Sequence, residues 1–317
     1  MTPGQILLRF YYEPLSWLRK SGREGGPWAQ RFTETNRLEM VDAAGRLGRL
    51  PSTSGAPDLT LHLMTGARFW YQTAFCLHSF SRFSGANVGA VLYDDGSIDD
   101  ECAGRLEQLG ARIVIRRAED LRAKVERSLP VSRFPVLRER WSHYLNLRKI
   151  IDVHAGSSGW KLVLDSDMLF FRSPDLLVDW LQGPTMPLHA VDCTESYGYS
   201  RPLMEKLAGA PVPPLVNVGL CGLRSDLVDW DRIESWCASL IGAEGTSYFL
   251  EQAIVAMMVA GQKTAVAPAG EYITRPERAE VEHPSAVMHH YVDTSKRWYF
   301  RRGWRIAMGA EARCGPA

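Results

Sequence analysis

The chain has 317 residues, of which 45% are hydrophobic and 23% are charged, and its formal net charge at pH 7 is +1. This composition is typical of a globular protein. A net charge so close to zero provides no general attraction to nucleic acid or to anionic lipid, so we expect no nucleic-acid partner. No apolar run approaches the roughly 20 residues that a membrane-spanning helix needs.

The first 57 residues are predicted to form an N-terminal extension that packs on the core. Helical patterns fall at residues 14–20 and 31–47, and the loop-like stretch "PSTSGAPD" begins at residue 51. No signal-peptide pattern opens the chain, and the cysteines show neither a CxxC motif nor paired spacing. We therefore expect reduced thiols and a cytoplasmic location, with contact to a membrane surface left open. The six cysteines are Cys76, Cys102, Cys193, Cys221, Cys237 and Cys314.

From residue 59 onward, strand and helix patterns alternate. "LTLHLMTG", "NVGAVLYDDGS", "ARIVIRR" and "WKLVLD" are predicted strands, and helical patterns lie between them at residues 67–83, 99–110 and 134–155. This alternation predicts an α/β fold with a mostly parallel central sheet flanked by helices. In such sheets ligands bind beyond the carboxyl ends of the strands.

The second half mixes its elements and shows no clear linker. "HAVDCTE", "LVNVGLCGL" and "SAVMHHYV" are predicted strands, and residues 229–241 and 247–261 are predicted helices. We therefore expect one fused domain over residues 58–317. Its nucleotide-binding half would cover residues 58–175 and its sugar- and acceptor-binding half residues 176–305.

The stretch "KLVLDSDMLFF" places Asp165 and Asp167 inside an apolar run. Residues i and i+2 of an extended chain point to the same side, so the two like charges need compensation. Turn-capping aspartates would explain the pair in a polar context, but both flanks here are apolar. A phosphatase of the haloacid dehalogenase type would need Thr or Val where Leu169 stands. A divalent cation that binds nucleoside-diphosphate oxygens is the interpretation we favour.

The same stretch resembles the DxD strand of GT-A-fold glycosyltransferases, and its surroundings resemble the retaining family eight, the glycogenin-like and bacterial galactosyltransferase-like group. Arg148 precedes Asp165 by 17 residues, where the family has a basic residue that contacts the donor. "LVNVGLCGL" resembles the family's Asn-x-Gly strand, with Asn217 and Gly219 in register. The resemblance covers residues 59–305 in scattered blocks.

Two further motifs carry the resemblance. Glu251-Gln252 stands where the family has Asp-Gln at the start of a helix. In "HYVDTSKRW", Lys296 and Trp298 follow His290 by six and eight residues, as in the family, although Arg297 replaces the usual Pro. A neutral imidazole can complete a metal shell begun by two carboxylates and shifts its preference toward Mn²⁺. The adjacent His289 is expected to point to the other face of the strand.

The resemblance implies a GT-A glycosyltransferase that moves a sugar from a nucleoside-diphosphate sugar, with UDP as the nucleotide, to a hydroxyl acceptor with retention of configuration. The cofactor would be Mn²⁺ or Mg²⁺, and the acceptor, a glycan, protein, lipid or small molecule, stays open. The implied metal ligands are Asp165, Asp167 and His290. The implied donor-binding residues are Thr65, Gly66, Tyr93, Asp94, Arg148, Ser166, Asn217, Gly219 and Lys296. The implied catalytic residues are Gln252, Glu251 and Asp192.

Several alternatives remain open from the residues alone. If the enzyme inverts configuration, Asp192, Glu195 or Glu251 would serve as the base. A sugar nucleotidyltransferase would need a glycine-rich, basic loop after its first strand, and "MTGAR" is too short for that. A non-catalytic nucleotide-sugar or carbohydrate-binding module is the second rival. "MTGAR" also lacks the family's acidic or Asn residue, so we expect "YDD" at residues 93–95 to supply a nucleoside contact.

Overall fold

The computed structural model describes residue 22 and residues 25–309. The helix predicted at residues 14–20 and Cys314 lie outside the described residues. The first described helix, α1, spans Pro27–Ala44 and buries Met40 and Ala44. Two side-chain contacts connect α1 to the C-terminal part of the chain. Arg301 donates to the hydroxyl of Thr33 at 2.9 Å, and Arg305 pairs with Glu39. The predicted division of the chain at residue 58 stays a prediction.

Seven of the described strands form one sheet in the order β3-β2-β1-β4-β7-β6-β8. The strands are β1 (Asp58–Thr65), β2 (Asn87–Asp94), β3 (Ile113–Arg116), β4 (Trp160–Leu164), β6 (Leu188–Val191), β7 (Val216–Arg224) and β8 (Ala265–Ala267). All adjacent pairs are parallel except those of β7, which runs antiparallel to β4 and to β6. The predicted mostly parallel sheet is confirmed.

Helices cover the sheet and supply the buried faces that parallel strands require. They are α2 (Trp70–Ser84), α3 (Asp100–Glu107), α4 (Ala118–Ser128), α5 (Pro135–His143), α6 (Leu145–His154), α7 (Asp175–Gln182), α8 (Arg201–Ala208), α9 (Trp230–Glu244), α10 (Leu250–Met258) and α11 (Arg278–Glu282). Short helical turns follow at Asp293–Ser295, Lys296–Trp298, Tyr299–Gly303 and Trp304–Ala307. None of the described helices is long and apolar enough to cross a membrane.

A second, three-stranded sheet has the order β5-β10-β9, formed by Met168–Phe170, Met288–His290 and Tyr272–Thr274. Strand β10 is antiparallel to β5, and His290 pairs in register with Met168. The amide of Tyr291 also donates to the carbonyl of Asp167 at 3.0 Å. This small sheet therefore brings a segment from far along the chain to the end of β4.

One sequence expectation needs correction here. The helical stretch predicted at residues 134–155 is two helices, because Tyr144 is extended (φ −132°, ψ 98°) and separates α5 from α6. The strand predicted at "WKLVLD" agrees with β4, which ends at Leu164, and β5 of the second sheet begins at Met168. The acidic pair thus occupies the short connection between two sheets. The five described cysteines are free, and four of them are buried.

Candidate active site

A cleft of about 660 Å³ opens at the edge of the main sheet where β1 and β4 end. Strand β7 is antiparallel to β4, so its first residues, rather than its last, lie at the same edge. Residues at this edge include Thr65 from β1, Asp165 after β4 and Asn217 from β7, and all three line the cleft. This is the position at which ligands bind in open α/β sheets.

Asp165, Asp167 and His290 converge in this cleft. One ligand atom from each lies within 4.8 Å of the others. His290 Nε2 is 3.3 Å from Oδ1 of Asp167 and 3.6 Å from Oδ2 of Asp165. The amide of Asp165 donates to the carbonyl of Gly219 at 2.7 Å, which continues the β4–β7 ladder by one residue and holds the carboxylate at the cleft. The structure therefore brings together the three residues that were predicted to hold a metal.

The charges around Asp167 stabilise its ionised form. Burial raises the pKa of Asp167, but Lys296, whose Nζ lies 3.0 Å from Oδ2, and His290 lower it well below its usual range. Burial lowers the pKa of His290, but the carboxylates of Asp167 and Asp165 raise it above its usual value. Positively charged groups therefore lie beside the two carboxylates even when no metal ion is bound. They provide the compensating charge that paired buried carboxylates need.

Two observations indicate that Asp165, Asp167 and His290 can bind a divalent ion. His290 is 4% exposed, and neither of its ring nitrogens forms a well-directed hydrogen bond within the described part of the chain, although Nε2 lies 3.3 Å from the carboxylate of Asp167. A buried imidazole without well-formed hydrogen bonds is costly unless it binds something. Two carboxylates and one imidazole nitrogen also form a donor set suited to Mn²⁺ or Mg²⁺.

Gly219 leaves the space that the cluster occupies. A Cβ at this position would lie 2.3 Å from Cε1 of His290 and 2.9 Å from Oδ2 of Asp165. Any side chain here would displace the imidazole or the carboxylate. Glycine is therefore required at this position by close packing, because only a residue without a Cβ lets the imidazole reach the carboxylates.

Lys149 is a buried cation that the sequence reasoning missed. It lies on α6, and its Nζ is 2.8 Å from Oδ1 of Asp165 and 3.2 Å from Oε1 of Glu251. Burial lowers the pKa of Lys149, but the two carboxylates raise it well above its usual value. Burial raises the pKa of Glu251 to about 7 despite the opposing effect of Lys149. Glu251 is thus held against Lys149 at the wall of the cleft.

Asp192, Asn217 and Gln252 form a second cluster in the cleft. Asn217 Nδ2 and Gln252 Nε2 both donate to Oδ2 of Asp192 at 3.0 Å. Oδ1 of Asp192 accepts from the amide of Cys193 at 2.7 Å, and Oδ1 of Asn217 accepts from the amide of Gly219 at 2.9 Å. The chain of bonds fixes the amide of Gln252 and links it to the strand beside the acidic pair. These three predicted site residues are brought together.

Four of the predicted donor-binding residues do not line the cleft: Gly66, Tyr93, Asp94 and Arg148. Tyr93 is 4% exposed, and its hydroxyl lies 3.0 Å from Nδ1 of the buried His62, so its contact with a nucleoside stays a prediction. Asp94 is also buried, and its carboxylate accepts from amides of the loop after β2 and from the amide of Ala118 at the start of α4. Arg148 donates to the carbonyls of Asp94 and Asp95 at 3.1 and 2.7 Å and to Asp152 at 3.0 Å. Each of its three nitrogens donates to one of these groups, and the guanidinium thereby braces the loop.

The remaining predicted residues lie at the cleft or directly behind it. Thr65, Ser166 and Lys296 line it. Gly66 stands behind the lining, and a Cβ there would lie 2.2 Å from the carboxylate oxygens of Asp95, which does line the cleft. Asp95 is the last residue of "YDD", so that motif reaches the cleft through its third residue. Glu195 pairs with Arg201 and is not among the residues that line the cleft.

Alternation along β10 separates the two adjacent histidines. His289 is buried on the opposite face, where its Nε2 lies 2.9 Å from Oε1 of Glu280 and its ring packs 4.5 Å from that of Phe171. The expected orientation of His289 therefore agrees with the structure.

The aromatic Trp298 does not line the cleft, and three arginines lie over its ring: Arg278, Arg297 and Arg301.

No family model and no curated protein sequence matches the chain. Solved protein structures do match the chain. An apo structure of the bifunctional glycosyltransferase WbbM aligns with TM-score 0.52 and 12% identity over 84% of this chain and 51% of that one, so the chain spans about half the length of WbbM. The galactosyltransferase LgtC, in complex with donor and acceptor sugar analogs, aligns with TM-score 0.50 and 14% identity over 80% of this chain and 97% of that one. The chain therefore has the GT-A fold of these glycosyltransferases, as the resemblance in the sequence implied.

Proposed function

We propose that this protein is a metal-dependent glycosyltransferase that moves a sugar from a UDP-sugar to a hydroxyl acceptor with retention of configuration. The observation that carries the proposal is the Asp165–Asp167–His290 cluster, which faces a large cleft at the ligand-binding edge of a glycosyltransferase fold. A structural role for the pair does not account for an imidazole whose buried Nδ1 has no partner among the described residues and whose Nε2 has only the two carboxylates beside it.

Asp165, Asp167 and His290 would hold the ion. A bound Mn²⁺ or Mg²⁺ neutralises the charge that develops on the departing nucleoside diphosphate. Lys296 lines the cleft and carries a fixed positive charge at the same place, so it can meet a phosphate oxygen on the side away from Asp167. Lys149 keeps Asp165 oriented from behind, since its ammonium lies between that carboxylate and Glu251.

Gln252 and Asp192 are placed to bind the transferred sugar. The amide nitrogen of Gln252 donates to Asp192, which leaves its amide oxygen available to the substrate. This oxygen can stabilise the positive charge that builds on the sugar carbon. Asp192 accepts three N–H hydrogen bonds, one at Oδ1 and two at Oδ2, so its carboxylate is held in place by the protein. This arrangement favours a positioning role for Asp192.

The other two acids are poorly placed to act as a base. Glu251 is buried against Lys149, and Glu195 pairs with Arg201 outside the cleft lining. An inverting transfer needs a carboxylate base on the face opposite the leaving group. These contacts favour retention, in which the sugar–phosphate C–O bond breaks, the acceptor oxygen bonds to the same carbon from the same face, and its proton passes to the departing phosphate.

The decisive experiment is a panel of nucleotide sugars tested for slow hydrolysis with Mn²⁺, with Mg²⁺ and with EDTA. We expect hydrolysis of at least one UDP-sugar that stops in EDTA and is lost in Asp167→Asn. Binding of UDP with Mn²⁺ without any turnover would support the non-catalytic module instead. If no nucleotide binds in a metal-dependent way, the proposal is wrong.

A further inference from the structure

An arginine with a strained backbone conformation lies at one end of the cleft. Arg275 directly follows β9, lines the cleft and is exposed to solvent. Its φ angle is 61°, in the left-handed region that residues other than glycine rarely adopt. Pro276 follows it, although the residue before a proline is normally extended. Strained residues of this kind are concentrated at sites that hold ligands.

Two hydrogen bonds hold this strained position. The amide of Arg275 donates to the carbonyl of His290 at 2.8 Å. The hydroxyl of the preceding Thr274 donates to the carbonyl of Val191 at 3.3 Å, which ties the segment to β6 just before Asp192. The backbone of Arg275 is therefore fixed between a proposed metal ligand and a residue proposed to bind the sugar. Only its side chain has conformational freedom to lose when a ligand binds.

The guanidinium of Arg275 has no acidic partner among the residues that the structure describes. Two lysines also line the cleft, but Lys149 pairs with Asp165 and Glu251, and Lys296 pairs with Asp167. Arg275 forms neither an ion pair nor a side-chain hydrogen bond within the described part of the chain. A guanidinium offers five N–H donors in one plane, an arrangement that matches a carboxylate or a phosphate.

The order of the strands places Arg275 at the end of the cleft away from the predicted nucleoside site. Along the edge of the sheet, β1 is followed by β4, β7 and β6, so the metal cluster after β4 comes before Asp192 after β6. Burial and Asp192 raise the pKa of the Cys193 thiol, and the guanidinium of Arg275 opposes this rise, so it lies close to Cys193. The nucleoside was predicted to bind toward β1 and β2. Arg275 therefore lies beyond the proposed donor sugar, where an acceptor would approach.

We propose that Arg275 is an acceptor-binding residue that pairs with a carboxylate or phosphate group, so the acceptor is an anionic molecule. This inference rests on the proposed glycosyltransferase function, because the acceptor end of the cleft is defined relative to the proposed donor. The donor diphosphate does not require Arg275, since the metal cluster and Lys296 already lie together at the place proposed for it. A neutral acceptor would not use the charge, and glycine would fit the same backbone with less strain.

The test measures binding to the full chain by saturation-transfer NMR, with UDP and Mg²⁺ present so that the nucleotide site is filled. The probes form two matched series, each with a neutral, a carboxylate and a phosphate compound. They are glycerol, glycerate and glycerol 1-phosphate, and methyl glucoside, methyl glucuronide and glucose 6-phosphate. We expect an anionic member of at least one series to bind about tenfold more tightly than the neutral member, as a charge-assisted hydrogen bond implies. The member that gains affinity distinguishes a carboxylate from a phosphate.

Three variants of Arg275 and one control accompany the parent. Arg275→Gln should reduce the affinity for the anionic compounds to that for the neutral one, and Arg275→Lys, which keeps the charge without the planar fork, should retain part of the preference. Arg275→Gly also removes the charge but relieves the backbone, so loss of the preference in both uncharged variants shows that the charge causes it. The control, Arg122→Gln, changes an exposed arginine on α4 that does not line the cleft, and it should bind every probe as the parent does.

The melting temperature with UDP and Mg²⁺ or Mn²⁺ is recorded for every protein. If UDP and the ion stabilise the protein but no anionic compound is preferred, or if the preference survives in Arg275→Gln, the anionic acceptor is refuted and the proposed function stands. If Arg275→Gln weakens UDP binding instead, or slows hydrolysis of UDP-glucuronic acid but not of UDP-glucose, Arg275 serves the donor and the inference is wrong. If UDP with either ion produces no stabilisation, the proposed function fails and this inference fails with it.

Discussion

The most direct test of the proposed metal site is Gly219→Ala. The added methyl group would lie 2.3 Å from Cε1 of His290 and 2.9 Å from Oδ2 of Asp165. The φ angle of Gly219 is not in the left-handed region, so alanine can adopt the backbone conformation and the effect is purely steric. The methyl group of alanine therefore presses directly on two of the proposed metal ligands, His290 and Asp165.

The size of the effect follows from the contact. Carbon atoms rest at about 3.5 Å from one another, so the imidazole must move by about 1.2 Å. A displacement of about 1 Å at a functional group costs on the order of 100-fold, equivalent to about 2.7 kcal/mol. Disturbing the groups that orient a metal ligand lowers metal affinity by about 10- to 100-fold. We therefore expect Gly219→Ala to weaken Mn²⁺-dependent UDP binding by 10- to 100-fold.

The assay is calorimetric titration of UDP at fixed Mn²⁺, with circular dichroism to verify the fold. The matched control is Gly222→Ala on the same strand, where a Cβ would lie 2.5 Å from the ring of Trp180. Trp180 is not among the residues that line the cleft. Both variants should lose stability through similar clashes, but only Gly219→Ala should lose metal-dependent binding.

Two results would refute the reasoning. A folded Gly219→Ala protein with the parent's affinity for UDP and Mn²⁺ would show that His290 and Asp165 do not form the metal site. Equal losses of UDP affinity in Gly219→Ala and Gly222→Ala would show that the loss comes from general destabilisation of β7.

Four further predictions separate the roles of neighbouring groups. Asp167→Asn should abolish metal-dependent UDP binding in calorimetry with an unchanged circular dichroism spectrum, and unchanged metal dependence would place the site elsewhere. His290→Ala should weaken Mn²⁺ more than Mg²⁺ in competition titrations, because an imidazole nitrogen favours Mn²⁺; equal losses would argue against a nitrogen ligand. Lys149→Met leaves a buried carboxylate unpaired and should cost about 3 kcal/mol in urea denaturation, part of which Glu251→Gln should recover in the double variant. Arg148→Gln should lower stability by about 1–3 kcal/mol through the lost bonds to the loop after β2, while Mn²⁺ affinity stays at the parent value, in contrast to Gly219→Ala.

The metal cluster could be predicted because its signals are local. The two aspartates at the end of an apolar strand are visible without coordinates, and the resemblance to family eight implied the histidine through its spacing to Lys296 and Trp298. The alternation of strands and helices likewise predicted the parallel sheet and the edge at which the pair lies. These features depend on residue order and on the period of the secondary structure, both of which the chain carries in itself.

The choice between adjacent residues could not be predicted in the same way. Consecutive residues on an α-helix point about 100° apart. The phase of α6 therefore decides that Lys149 faces the cleft while Arg148 turns to the loop. The same limit applies to β2, where Tyr93 packs behind the sheet and only Asp95, beyond the strand, reaches the cleft. An error of one residue in the predicted phase of the helix therefore exchanges the basic side chain that faces the cleft for one that only holds a loop in place.

By itself, then, the order of residues determined the sheet, the acidic pair at its edge and the candidate imidazole. Only the tertiary structure decided that a second small sheet carries His290 to that edge, that Glu251 is buried against Lys149, and that Arg275 lines the cleft. The physical reason is that pairing between distant strands, burial and helix phase depend on contacts between segments far apart in sequence, which no local pattern encodes.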